Sequence, residues 1–239
     1  MLIAGWKSVS MVDVHGKVTF TLWLCGCNLR CPFCHNWQIA ENEGCFPLKQ
    51  NVLLEELESC AFLIDYFHVT GGEPLLQWRD LSSLFADIDI PVSLNTNLTL
   101  LKPLEKLLNA GLVEHIATDL KAPPTELYGL PEKASLKLWE LFLKGLELVS
   151  NYKIPLELRI PVARNLEQWS YIEEGLRRIK TDFYVVLNPL VGKPLTNPRD
   201  DEWCSQYCWP RKENVEKLKR ELEELGVEVY VNTLPIFAK

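Results

Sequence analysis

Three cysteines near the N-terminus are the residues whose spacing points most directly to chemistry. Cys27, Cys31 and Cys34 bring three thiols into eight positions. Structural zinc requires four closed ligands, commonly as two separated Cys-x2-4-Cys pairs, and a redox disulfide needs Cys-x2-Cys without a third partner. A [4Fe–4S] cluster held by three thiolates leaves one iron without a protein ligand, so a substrate or cofactor can bind that iron. The spacing favours an open iron–sulfur site, and zinc remains an alternative.

The other five cysteines are scattered, and we expect them to be unbonded thiols. Cys25, Cys45 and Cys60 are interpreted as buried thiols. Cys204 and Cys208 could supply a second zinc pair, but we interpret them as structural or partner-contacting cysteines, because their helical spacing puts both on one face. We expect the protein to be cytosolic, and disulfide frameworks are rare in reducing compartments such as the cytosol.

Composition and charge exclude several classes of function. The 239 residues are 47% hydrophobic and 24% charged, as in an ordinary globular protein. The formal net charge of −7 argues against a nucleic-acid surface, which needs a basic face. No apolar run approaches the roughly 20 residues that span a bilayer, and the N-terminus lacks the apolar core of a signal peptide. The composition is therefore that of a cytoplasmic protein.

Strand and helix patterns alternate along most of the chain. Alternating β and α segments indicate parallel βα units, so we predict an α/β fold, a partial (β/α)6 TIM-like barrel, in one domain over residues 1–239. This domain would have an N-terminal β-ribbon (1–18) and a C-terminal extension (191–239). The predicted strands are 18–24, 67–70, 91–97, 114–121, 155–162, 182–190 and 227–233, and the predicted helices are 53–65, 78–88, 103–111, 134–151, 166–180 and 214–226.

Polar or special residues follow the predicted strands, where βα barrels place their chemistry. Asp119 and Lys121 are two apart and share a face, as cofactor ligands or as a structural ion pair. Arg159 lies in an otherwise apolar strand and needs an anionic partner. His68 is expected to be a core or wall residue. The remaining features are the cysteine loop, GGEP (71–74), NTN (95–97) and NPL (188–190).

Two motifs together resemble those of a known superfamily. CNLRCPFC (27–34) is similar to the Cys-x3-Cys-x-aromatic-Cys motif of the radical S-adenosylmethionine (SAM) superfamily, and GGEP resembles its second motif. The stretch SMVDVHGKVTFTLWLCGCNLRCPFCHN (10–36) resembles the opening of the glycyl-radical-enzyme activases, which include the activating enzymes of anaerobic ribonucleoside-triphosphate reductase and of pyruvate formate-lyase. NTN, DLK (119–121) and ELRIPV (157–162) follow in the order of later motifs. The resemblance covers roughly residues 8–190.

The resemblance implies one [4Fe–4S] cluster per chain and SAM as cofactors, with no catalytic residue beyond them. It places three irons on Cys27, Cys31 and Cys34, with SAM chelating the fourth. Gly71, Gly72 and Glu73 would surround the methionine moiety, Glu73 at its ammonium. The other implied cofactor contacts are Phe33 near the adenine (or simply folded onto the core), Asp119 and Lys121 near the ribose and carboxylate, Arg159 at a carboxylate, and Asn95 where some relatives bind a cation through aspartate.

The implied activity is that of an activase that abstracts an α-hydrogen from a glycine of a partner enzyme. The compact chain, which lacks a ferredoxin insert, favours anaerobic ribonucleoside-triphosphate reductase as that partner, with reduced flavodoxin or ferredoxin as electron donor. One alternative is a radical SAM enzyme acting on a small molecule or modified nucleoside. The other is a non-catalytic, zinc-stapled binding protein.

Overall fold

One twisted sheet carries every strand of the protein that the computed structural model describes, namely within residues 1–232. The strands are β1 (Leu2–Ser10), β2 (Thr19–Leu24), β3 (Phe46–Pro47), β4 (Tyr66–Gly71), β5 (Val92–Asn95), β6 (His115–Asp119), β7 (Leu156–Val162), β8 (Phe183–Pro189) and β9 (Val229–Val231). The end of the predicted last strand, Thr233, lies outside the described residues, as do residues 234–239 of the predicted C-terminal extension.

Helices connect most of these strands and cover the sheet. They are α1 (Trp37–Ala40), α2 (Gln50–Cys60), α3 (Trp78–Ala86), α4 (Leu101–Asn109), α5 (Pro124–Leu127), α6 (Glu132–Asn151), α7 (Trp169–Leu176), α8 (Asp201–Tyr207) and α9 (Lys212–Glu224), with 3₁₀ turns at Ala61–Leu63 and Pro74–Gln77. No helix within residues 1–232 is both long and apolar enough to cross a lipid bilayer.

The strand order confirms the predicted α/β class with parallel strands. The order is β3-β1-β2-β4-β5-β6-β7-β8-β9. From β2 to β9 every pairing is parallel, whereas β1 pairs antiparallel with β2 and β3. The sheet does not close on itself, in agreement with a partial barrel. The predicted ribbon within 1–18 differs in detail, because β1 pairs with β2 and residues 11–18 form the connection.

The hydrophobic core lies between the outer face of the sheet and the helices. In β4, for example, Phe67 and Val69 are fully buried in this core, whereas Thr70 faces the cavity on the inner side. Fully burying such a side chain contributes about 1.5–3 kcal/mol. Because side chains alternate along a strand, the opposite face is left for polar residues.

The inner face of the sheet is consequently polar. It presents Asn95, Asp119, Glu157, Arg159 and Asn188 to one cavity of about 870 Å³. Parallel barrels are usually filled by bulky apolar side chains, so these polar side chains make the inner face a candidate binding site.

Candidate active site

The cysteine loop, residues 25–36, follows β2 and forms one wall of the cavity. Cys27, Cys31 and Cys34 are free thiols, and all three line the cavity. Backbone hydrogen bonds hold the loop in place: the N–H of Gly26 donates to Ile39 O over 2.9 Å, and that of Arg30 donates to Tyr128 O over 2.9 Å. The structure thus brings the three predicted cluster cysteines together on one wall.

The three thiols are arranged differently from the ligands of a mononuclear metal site. Within residues 1–232, no three His, Cys, Asp or Glu side chains are grouped closely enough to ligate one metal ion. In a [4Fe–4S] cluster each cysteine ligates a different iron, so the sulfurs approach from separate corners. Three free thiols around one cavity fit that group.

Burial keeps these thiols protonated when no metal is bound. It raises the pKa of Cys27 to about 11 and that of Cys31 to about 12, and it also raises the pKa of Cys34. Metal ligation requires the thiolate form. Cluster binding therefore has to displace protons from buried sulfur.

Two glycines at the end of β4 let that strand approach the cysteine loop. A Cβ on Gly72 would lie 2.0 Å from the carbonyl oxygen of Gly26, and one on Gly71, whose φ is +120°, would lie 2.2 Å from that of Leu24. Both contacts are shorter than any side chain tolerates. The glycines line the cavity, and it is the protein backbone that excludes a side chain there, while their approach to the methionine moiety of SAM stays a prediction.

The carboxylate of Glu73 faces the protein, away from the cavity. Its side chain is 1% exposed and accepts hydrogen bonds from Leu75 N (2.9 Å), Thr96 Oγ1 (2.7 Å) and Asn97 N (2.7 Å). Burial raises the pKa of Glu73, while these donors act against the rise. In this structure the carboxylate binds three protein donors, and the contact with the ammonium of SAM stays a prediction.

Asn97 extends this bracing to the cysteine loop. Its side-chain amide donates to Asn28 Oδ1 over 2.8 Å, and Asn28 in turn donates to Thr99 Oγ1 over 2.8 Å. The sequence analysis noted NTN because it follows a predicted strand, but it predicted no role for Asn97 or Asn28. Each of these asparagines lies in a motif that resembles the family, and this was the signal that could have identified them.

Asp119 and Lys121 form an ion pair at the end of β6. Lys121 Nζ lies 2.9 Å from Asp119 Oδ2, and both side chains line the cavity. Burial opposes both charges, yet each partner stabilises the other, so the pKa of Asp119 is lowered and that of Lys121 is raised. The charge of Lys121 also acts on the thiols of Cys27 and Cys31. The ion pair is consistent with the structural role considered for these two residues, and the position of both side chains on the cavity is consistent with a cofactor contact.

Arg159 finds its anionic partner within its own strand, which corrects the view of β7 as otherwise apolar. Its Nε donates to Glu157 Oε1 over 2.5 Å, and Glu157 is 2% exposed. Glu157 also accepts from Tyr184 Oη (2.6 Å) and from His15 N (2.8 Å). Glu157 is a site residue that sequence reasoning missed, although it lies two positions from Arg159 and therefore on the same face.

The remaining predicted residues lie along the same cavity or behind it. Asn95 donates to Thr70 Oγ1 over 2.9 Å. Phe33 lines the cavity, and its ring lies 6.2 Å from that of Trp203. His68 is a buried wall residue as predicted, since it is 1% exposed and its Nδ1 lies 2.9 Å from Ser93 Oγ.

Four cysteines are paired, contrary to the expectation of unbonded thiols. Cys25 is bonded to Cys45, and Cys204 to Cys208. The fold brings the first pair together from either side of α1, and one turn of α8 separates the second. Cys60 is a buried free thiol as expected. Because Cys204 and Cys208 bond each other, they do not provide the second ligand pair that the zinc alternative requires.

Comparison with known proteins identifies a match over most of the chain. The model of the radical SAM superfamily matches residues 22–187. A Methanocaldococcus jannaschii protein named as a glycyl-radical enzyme activating enzyme is 30% identical over 125 residues, which are 50% of each chain. The 7-carboxy-7-deazaguanine synthase of Hyperthermus butylicus is 40% identical over 85 residues, 34% of this chain and 35% of the other. The pyruvate formate-lyase-activating enzyme of Staphylococcus aureus is 35% identical over 92 residues, 34% of each chain.

These matches span only half or about a third of the curated relatives' lengths. Among solved structures, a radical SAM methyltransferase from Sphaerobacter thermophilus superposes with a TM-score of 0.67 at 14% identity, over 94% of this chain and 68% of the other. Identity this low shows a shared fold and nothing about substrate.

Proposed function

The chain belongs to the radical SAM superfamily, whose members use a [4Fe–4S] cluster and SAM, and from that premise we propose that it is a glycyl-radical-enzyme activase. When bound, the reduced cluster would supply one electron to SAM, whose S–C5′ bond would break to give methionine and an adenosyl fragment that takes a hydrogen atom from substrate and leaves as 5′-deoxyadenosine. The work of the protein is to hold these groups, orient the substrate and exclude water and oxygen.

Cys27, Cys31 and Cys34 are the proposed ligands of three irons. The support is that they are free, face one cavity and belong to a loop fixed by backbone hydrogen bonds. The glycines at 71 and 72 bring β4 against this loop.

The proposed SAM contacts are the other predicted residues that line the cavity. The Asp119–Lys121 pair offers an acceptor for ribose hydroxyls and a cation for the SAM carboxylate. The rest of the proposed set is Phe33, Gly71, Gly72, Asn95 and Arg159. Glu73 acts through Thr96 and Asn97 as a brace.

One observation favours a polypeptide over a phosphorylated nucleotide as substrate. Among residues 1–232, the lysine and the arginine that line the cavity, Lys121 and Arg159, are each paired with an acidic side chain. Phosphate recognition calls for cationic donors aimed at the ligand. A glycine residue within a polypeptide carries no side-chain charge and suits a cavity whose charges are balanced, and two of the relatives reported above carry activase names. We propose anaerobic ribonucleoside-triphosphate reductase as the partner, and reduced flavodoxin or ferredoxin as the electron donor.

A second candidate is a radical SAM enzyme that acts on a small molecule or modified nucleoside. The observation in its favour is the 40% identity with 7-carboxy-7-deazaguanine synthase over 85 residues.

An anaerobic activation assay tests the proposal. The protein, loaded with about four irons per chain, is mixed with SAM, a reduced flavodoxin and the candidate reductase. We expect the doublet of a glycyl radical in the electron paramagnetic resonance spectrum, and no doublet with the Cys34→Ser variant or with a reductase whose radical glycine is replaced by alanine. Formation of 5′-deoxyadenosine without a doublet, across all candidate glycyl-radical partners, would favour the small-molecule alternative.

A further inference from the structure

Two asparagine side chains at the ends of β8 and β9 form an amide pair on the wall of the cavity. Asn188 is the next-to-last residue of β8, and Asn232 directly follows β9. Both line the cavity, and Asn232 Nδ2 donates to Asn188 Oδ1 over 2.7 Å. The backbone N–H of Asn232 donates to Leu187 O over 2.9 Å, which fixes Asn232 beside β8. The pair is therefore held at the edge of the sheet where parallel strands carry their sites.

The internal hydrogen bond leaves a donor and an acceptor of the pair free. A primary amide has two N–H donors and one carbonyl acceptor. Within residues 1–232 this bond is the one that the two side chains make, so Asn188 Nδ2 and Asn232 Oδ1 have no partner there. Asn188 is partly buried and Asn232 is exposed. The pair thus offers N–H groups and a carbonyl oxygen side by side, at a position that is open to solvent.

One residue of an extended polypeptide has the hydrogen-bonding groups that this pair requires. In an extended strand the N–H and the C=O of the same residue point to the same side, and both can bind a single partner opposite. A phosphate or a carboxylate has no N–H group and would leave Asn232 Oδ1 without a donor. Because the two asparagines are uncharged, their recognition of a ligand depends on hydrogen-bond geometry alone.

The connection between β1 and β2, residues 11–18, provides an apolar wall for the same cavity. The ring of His15 lies 3.9 Å from that of Tyr230, which is two positions before Asn232 and on the same side of the strand. The connection therefore reaches β9. Met11 and Val12 line the cavity, although they are 76% and 83% exposed. In peptide-binding sites, main-chain hydrogen bonds supply affinity and apolar contacts with side chains supply selectivity.

We propose that Asn188 and Asn232 form a binding subsite for the backbone of an extended polypeptide, the segment that carries the reacting glycine. Asn188 Nδ2 donates to the C=O of one residue, and Asn232 Oδ1 accepts from the N–H of the same residue. The inference rests on the proposed function, because it names the part of the partner that the cavity recognises. The pair orients the segment through its backbone, while Met11 and Val12 contact its side chains.

The test is a binding titration with a labelled synthetic peptide that spans the radical glycine of the candidate reductase. Reconstituted, unreduced protein with saturating SAM is titrated under anaerobic conditions, and fluorescence anisotropy reports binding. Asn188→Ala and Asn232→Ala should each weaken peptide binding about three- to tenfold, as for loss of a neutral hydrogen bond, with unchanged affinity for SAM. Asn188→Asp keeps the acceptor for Asn232 and removes the free donor, which provides a variant should the alanine protein fold poorly.

Asn214→Ala is the matched control, because Asn214 is an exposed asparagine of α9 that does not line the cavity. Its affinity for the peptide should equal that of the wild type. A series of peptides with one backbone N–H replaced by N–CH₃ identifies the contacted residue. Methylation there should weaken binding to the wild type and should have little further effect on binding to Asn232→Ala, since the acceptor is already absent.

Three results would overturn the inference. They are equal peptide affinity in the asparagine variants and the wild type, weaker SAM binding at unchanged peptide affinity, which would assign the pair to the cofactor, and wild-type protein that binds no glycine peptide. Peptide binding that depends on both asparagines, without a glycyl doublet from any partner, would contradict the proposed function alone, since the titration involves no reduction and no radical.

Discussion

The two glycines that end β4 are the clearest case in which single residues decide whether the site can form. The GGEP motif identifies them in the sequence, but the reason for them appears only in three dimensions. A Cβ on Gly71 would meet Leu24 at the end of β2, and one on Gly72 would meet Gly26 in the cysteine loop. Backbone-to-backbone approach of this kind depends on the register of β2 and β4, which the local sequence does not encode.

Gly72→Ala should displace the cysteine loop. The new Cβ would lie 2.0 Å from Gly26 O, so the backbone has to move, at a cost of roughly 1–3 kcal/mol in unfolding free energy. We expect less iron per chain after reconstitution, measured alongside urea unfolding of the metal-free protein. Gly44→Ala is the control: its φ is +68° and nothing lies within 4 Å, so it should lose about 1 kcal/mol and bind iron normally. Equal iron binding by Gly72→Ala and wild type would contradict the loop-packing account.

Glu73 has bonding partners within the protein that its motif alone does not reveal. Glu73→Gln places an amide donor where three protein donors converge. We expect the metal-free protein to lose roughly 1–3 kcal/mol of unfolding free energy, measured by urea denaturation without SAM. If the variant unfolds like the wild type but binds SAM more weakly, the carboxylate contacts the cofactor and the bracing role is wrong.

At the scale of elements, the alternation of strand-like and helix-like segments along the chain predicted most of the sheet, because parallel strands need such helical crossovers. The short elements α1, β3, α5 and α8 were missed because each is no longer than seven residues, too short for a periodic pattern. The register between neighbouring strands could not be predicted from the sequence either. That register places a row of polar side chains across β4, β5 and β6. Ser93 Oγ lies 2.9 Å from His68 Nδ1 and 2.8 Å from His115 Nδ1.

This row predicts a loss of stability in mild acid. Burial lowers the pKa of His115 to about 4 and lowers that of His68. Both histidines are therefore neutral in the folded state, whereas the unfolded chain takes up protons below its ordinary histidine pKa of about 6.5. Their contribution to stability is complete above about pH 6.5 and decreases as pH falls toward 4, by roughly 3 kcal/mol for His115.

Urea unfolding of the metal-free protein between pH 4 and 7 measures this slope. His115→Asn removes one titrating group and should show a shallower decline over the same interval than the wild type. Parallel stability profiles for the two proteins would show that His115 is not kept neutral by folding.

At the scale of the whole molecule, the sequence predicted a partial α/β barrel with its site at the C-terminal ends of the strands, and it could not predict how the chain beyond β8 would pack. No motif covers that stretch, and the family match ends at residue 187. The structure places the disulfide between Cys204 and Cys208 in a small apolar cluster with Leu127, Ala163 and Leu190, against which Phe33 packs. The C-terminal segment therefore supports the cysteine loop from behind.

The Cys204–Cys208 bond should stabilise this arrangement, since both residues are at most 4% exposed. Closing so short a loop restricts the unfolded chain by about 2 kcal/mol in the chain-entropy model. Cys204→Ala/Cys208→Ala should therefore unfold at lower urea concentration than the oxidised wild type. A dithiol reductant present during unfolding also breaks the Cys25–Cys45 bond in both proteins, so the difference between them should shrink under reducing conditions. Cys60→Ala, which removes a buried free thiol instead, controls for loss of side-chain packing, and the reductant should destabilise it as much as it destabilises the wild type. If the difference between the wild type and the double variant is the same with and without the reductant, the two thiols are unbonded in solution and the apolar cluster alone holds the C-terminal segment against Phe33.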